Sequence, residues 1–162
     1  MAGTKSHMPI TEDDLRCLQA MGLQAHEEIL ARNPNLEVYR DRLRLVCLRQ
    51  SAARHYADER FTGGFGDFDI WLFYEADPSV IFSARGRVRK NRPRYAGKDV
   101  DVLRRAVPIR GSTASMDEVV AAILSYIERR RRDVAKSCRK PDALVGLYPS
   151  ELLGKVLWLS AD

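Results

Sequence analysis

Residues 67–74 read Asp-Phe-Asp-Ile-Trp-Leu-Phe-Tyr, two acids opening an unbroken apolar and aromatic run. No other stretch restricts the fold as tightly. The run reads as a buried strand, with Asp67, Asp69, Trp71 and Phe73 on one face and Phe68, Ile70, Leu72 and Tyr74 on the other. A glycine-rich turn over 63–66 precedes it and Asp77-Pro78 closes it. Two carboxylates this close repel each other, and burying either is costly. Either the strand mouth lies in water, or something positive sits between the acids.

The surrounding elements follow from caps and periods. Thr11 followed by Glu12, Asp13 and Asp14 is a helix start, and Leu15, Leu18, Met21, Ala25 and Ile29 recur at helical spacing until Asn33-Pro34. Leu43–Leu48 alternates as a strand, although Ala52, Ala53 and Tyr56 equally allow a helix through this region. Lys98–Val107 reads as a strand that places Asp99, Asp101 and Leu103 on one face, with Pro108 stopping it. Ser115-Met116-Asp117-Glu118 is a capping box, continued by Val119, Val120, Ile123, Leu124 and Ile127. Pro141 suits the first turn of a further helix, and Leu152, Leu153, Val156, Leu157 and Leu159 form an apolar, helical closing segment. The expected class is α+β: a small mixed or antiparallel sheet with helices packed on one face.

Composition bounds the rest. A chain of 162 residues, 45% hydrophobic and 30% charged, fits one globular domain with a real core. The opening MAGTKSHM has the look of a vector-derived leader, so residues 1–8 are set aside and 9–162 are read as a single domain. No apolar run reaches the roughly 20 residues needed to span a bilayer, so no membrane partner is expected. Cys17, Cys47 and Cys138 are far apart and odd in number, which favours a reducing cytoplasm over a disulfide framework or zinc site.

The net charge is +5, and the positive side chains cluster. Arg85, Arg87, Arg89, Lys90, Arg92 and Arg94 lie within ten residues without an acid, and Arg129–Arg132 forms a second group. Such clusters solvate a surface or contact a phosphate-rich partner such as RNA.

A strand beside the first could bring Asp101 next to Asp67 and Asp69. Three carboxylates on one sheet face call for a hard divalent ion, Mg²⁺ or Mn²⁺, because such ions prefer oxygen ligands. A short Asp-x-Asp is common at exposed strand ends and needs further support. That support is Gln50-Ser51-Ala52-Ala53-Arg54-His55, just after the first candidate strand. With this segment in place, the arrangement resembles the DNA polymerase β-like nucleotidyltransferase superfamily, especially its minimal single-domain members and an uncharacterised branch of them. Ser51, Ala53 and Arg54 match the family's first motif, Asp67-Phe68-Asp69-Ile70 the second, and Asp101 within Val100-Asp101-Val102 the third. The likeness covers roughly residues 43–107, about two-fifths of the chain. Gln50 and His55 stand where the family pattern has glycines, and the gap from Ser51 to Asp67 is slightly longer than in the family.

The resemblance implies a palm-like fold and transfer of a nucleoside monophosphate from a triphosphate such as ATP to a hydroxyl of nucleic acid or protein. It implies that Asp67, Asp69 and Asp101 are catalytic and bind metal, and that Gln50, Ser51 and Arg54 contact the nucleotide. Arg54 also suits a structural role, and Ser51 a simple helix cap. The alternative is the same fold with its phosphate cradle altered at Gln50, a module that binds nucleic acid or a partner protein, as in a toxin–antitoxin pair. A dimer through the apolar C-terminal segment is a further possibility. His26 and His55 lack partners at metal spacing. Cys47 reads as a small buried hydrophobe. Trp71 and Phe73 are expected in the core or a pocket wall.

Overall fold

Thr11 caps the first helix: its hydroxyl accepts from the Asp14 amide and the Asp14 carboxylate accepts from the Thr11 amide, a reciprocal box that fixes where α1 (Glu12–Arg32) begins. The computed structural model, which describes residues 4–82, 93–109 and 114–161, continues with β1 (Leu43–Arg49), α2 (Gln50–Ala57), β2 (Phe68–Glu75), β3 (Arg94–Tyr95), β4 (Lys98–Val107), α3 (Met116–Arg132), β5 (Ala143–Tyr148) and β6 (Val156–Leu159). The fold is α+β. The six strands form one mixed sheet in the order β3-β4-β2-β1-β5-β6, in which β2 and β4 run parallel and the other neighbours antiparallel.

The ambiguity between strand and helix in the forties resolves as strand, then helix, with the switch between Arg49 and Gln50. Every residue of β2 is buried. Alternation then sorts its side chains into two cores. Ile70 and Leu72 join Val46, Leu48, Val100, Val102, Val145 and the apolar sides of α1 and α2. Trp71 and Phe73 join Leu45, Cys47, Val107, Leu144 and Val119, Ile123 and Ile127 of α3. Helices therefore cover both faces, where the sequence suggested one. An interior strand whose two sides are equally apolar needs cover on both.

A second expectation is corrected at the C-terminus. The segments after Pro141 and around Leu157 form β5 and β6, not helices. Short apolar runs carry no decisive period, and tertiary pairing settles them. β5 lies between β1 and β6, and a Cβ at Gly146 would collide with the carbonyl oxygen of Leu152, so this crossing tolerates only glycine. Val156 and Leu159 remain exposed on the edge strand. Among the described residues, no helix is long and apolar enough to cross a membrane.

Candidate metal centre and adjoining cleft

β2 and β4 build the acidic site. Their parallel register sets Asp69 opposite Asp101, and Asp67 lies one residue before β2 begins. One oxygen from each of the three carboxylates lies within 4.8 Å of the others. Asp69 is buried, 7% exposed, and shares a hydrogen bond with Asp67. Burial and the charges of Asp67 and Asp101 push its pKa up to about 7 from an ordinary 3.8, with Arg49 pulling the other way. A donor set made wholly of oxygen and held this close fits Mg²⁺ or Mn²⁺.

Comparison with protein-family models, curated proteins and solved structures finds no match to this chain. The functional reading rests on the site itself.

The segment before the acids is also ordered by side chains far away in sequence. Gln50 adopts φ of +63°, the left-handed region that favours glycine. Its amide donates to Oδ1 of Asp142 at 2.8 Å. The other oxygen of Asp142 accepts from Arg49 at 2.6 Å, and Arg131 stands 3.6 Å away. Asp142 thus locks the turn that joins β1 to α2. Replacing Gln50 with glycine removes the conformational penalty and is expected to stabilise the fold by up to about 1 kcal/mol, or roughly 2–4 °C in melting temperature. A lower melting temperature for Gln50→Gly would show that the Gln50 side chain, not the backbone, governs this turn.

Arg54 is engaged within the fold. Its Nη1 donates to the carbonyls of Asp142 and Ser160 and to the Ser160 hydroxyl, and its Nε to Asp58. That guanidinium ties α2 to the β5–β6 side of the sheet. Ser51 is half-buried in the first turn of α2 and makes no hydrogen bond to a described residue. Of the basic loop, Arg85, Arg87, Arg89, Lys90 and Arg92 lie outside the described residues. Arg94 is exposed, donates to the Gly97 carbonyl and faces Asp99 at 3.4 Å. His26 is buried against the Tyr74 hydroxyl and the Arg40 carbonyl, and His55 meets the Met8 carbonyl, so neither stands with the acids. Cys47 is buried, and burial raises its thiol well above the ordinary range.

Sequence reasoning missed the cleft beside the acids. Arg49 lies opposite Asp69 on β1, with its guanidinium 4.7 Å from the centre of the Trp71 ring. Arg105 approaches the same ring at 5.4 Å and donates to the Tyr126 hydroxyl at 2.7 Å. Trp71, expected in the core or a pocket wall, belongs to both. The basic run at Arg129–Arg132 was visible, but its position near Trp71 depends on how α3 packs.

Proposed function

We propose that this protein is a metal-dependent nucleotidyltransferase that moves a nucleoside monophosphate from a triphosphate to an acceptor hydroxyl of nucleic acid or protein. The observation that carries the reading is the convergence of Asp67, Asp69 and Asp101 from two parallel strands. The acceptor oxygen bonds to the α-phosphorus, the bond to the departing pyrophosphate breaks, and the hydroxyl proton leaves to a carboxylate or water. Asp67, Asp69 and Asp101 would hold the divalent cation, and Asp101 would orient the acceptor hydroxyl and take its proton. Such a cation would supply positive charge to offset the charge that develops on the reacting oxygens. The Ser51 hydroxyl lies at the start of α2, where a phosphate oxygen is favourably received.

One observation favours a second reading. The Gln50 amide is already engaged by Asp142, and a side chain stands where close phosphate approach favours glycine. A fold of this kind kept as a binding module for nucleic acid or a partner protein would show no transfer. The test is incorporation of labelled nucleotide with Mg²⁺ or Mn²⁺ across a panel of hydroxyl acceptors. Transfer that depends on Asp69 supports the enzyme. Metal-independent binding without transfer supports the module.

A further inference from the structure

A cavity of about 460 Å³ is bounded by Arg49 at the end of β1, Gln50 at the start of α2, Trp71, the last turns of α3 and residues between 133 and 142. Trp71 is two residues beyond Asp69 on the same face, about 7 Å along the strand. Arg49, which lines the cavity, also stands opposite Asp69 across the β1–β2 pair.

Its charge is unbalanced. Arg49, Arg130, Arg131, Arg139 and Lys140 line it against only two acids, Asp133 and Asp142. Asp142 is already paired with Arg49 and approached by Arg131. Arg131 donates to the Lys140 carbonyl and Arg139 to the Arg131 carbonyl, contacts that fix the wall. Arg130 and Lys140 stand exposed at the rim. Two further donors belong to lining side chains that are nine-tenths buried. Nε of Arg49 and Nε1 of Trp71 have no hydrogen-bond partner among the described residues, at 8% and 9% exposure.

We infer that this cavity holds a polyphosphate anion, the phosphate tail of the donor nucleotide, anchored at its rim by Arg130 and Lys140. The inference rests on the nucleotidyltransferase reading and adds to it. The Gln50 amide is committed to Asp142, so side-chain cations next door supply phosphate contacts that this amide does not. The volume lies within the range of small-ligand sites, and guanidinium groups suit phosphate oxygens better than any other side chain.

Cys138 gives a direct readout, because it is an exposed thiol in the cavity lining. Cys17, also exposed, lies on α1 and serves as the control. The experiment follows alkylation of both thiols by mass spectrometry in the full chain, with inorganic tripolyphosphate or ATP and with no metal present. Both anions are expected to slow labelling of Cys138 and leave Cys17 unchanged. In the Arg130→Ser/Lys140→Ser variant, with unaltered melting temperature, half-protection should need about tenfold more tripolyphosphate, as expected for lost charge-assisted contacts. Unchanged Cys138 labelling at millimolar tripolyphosphate, or equal protection in the variant, overturns the assignment. Protection by ATP but not by tripolyphosphate also overturns it, because the base would then be the anchored part. The readout requires neither metal nor turnover, so nucleotide transfer without protection refutes the cavity assignment alone, and protection without transfer leaves it standing.

Discussion

Asp69→Asn is expected to reduce nucleotide transfer by at least about 10³-fold and, in the same protein, to raise the melting temperature of the metal-free fold at pH 8. The two effects share one cause. Asp69 is buried beside two other carboxylates, so its protonated form is favoured in the fold, with a folded value near 7 against an ordinary 3.8. A group whose folded value is raised contributes stability that is complete below the unfolded value and is lost as pH rises through the folded one. Above pH 7 the ionised Asp69 therefore burdens the metal-free protein by a few kcal/mol, and a cation or an amide relieves that burden. Asparagine keeps the shape, carries no charge and donates to the neighbouring carboxylates. An increase of about 5 °C at pH 8, shrinking toward zero near pH 4, is the expected thermal signature. Equal transfer by the variant would end the enzymatic reading. A fall in its melting temperature at pH 8 would mean that the three acids are not mutually repelling in solution.

The largest structural effect is expected at Asp142. Its side chain is 4% exposed and accepts from Arg49, from the Gln50 amide at 2.8 Å and from the Ala143 amide at 2.8 Å. Truncation to alanine leaves a buried guanidinium and two amides without their acceptor, a change that costs about 3–5 kcal/mol. Asp142→Asn keeps one carbonyl oxygen in place and should cost clearly less. Urea denaturation measures both. An Asp142→Ala midpoint corresponding to less than about 1 kcal/mol of loss would show that the turn at Gln50 is held by something else. The same variant should release Gln50 from its left-handed conformation, because the bond that holds that amide is gone.

Local signals were legible wherever a single segment decides the outcome. The Thr11 and Ser115 caps, the Asn33-Pro34 stop and the alternation along Phe68–Glu75 all specify elements through neighbours a few residues away. A strand partner for β2 was readable as Val100-Asp101-Val102, whereas its parallel direction and the register that sets Asp101 against Asp69 come from the sheet. What escaped the sequence was non-local. Ala143–Tyr148 looks helical or extended with equal ease, and it is a strand because β1 offers it an edge. Asp142 carries no local mark of its role, since the Gln50 amide it accepts from lies 92 residues away in the chain. Arg54, assigned to the nucleotide by resemblance, donates to the carbonyls of Asp142 and Ser160, partners that no local sequence signal marks. The basic cavity combines Arg49 with Arg130 and Lys140, residues that only the packing of α3 and the following loop brings beside Trp71.

The most direct measurement is the position of Mn²⁺ in crystals of the protein grown near pH 8, located by its anomalous scattering. The account predicts an ion between β2 and β4, about 2.1–2.2 Å from carboxylate oxygens of Asp69 and Asp101, with Asp67 as a further ligand. Crystals that take up Mn²⁺ elsewhere, or that leave these three acids without it at saturating concentration, would contradict the account.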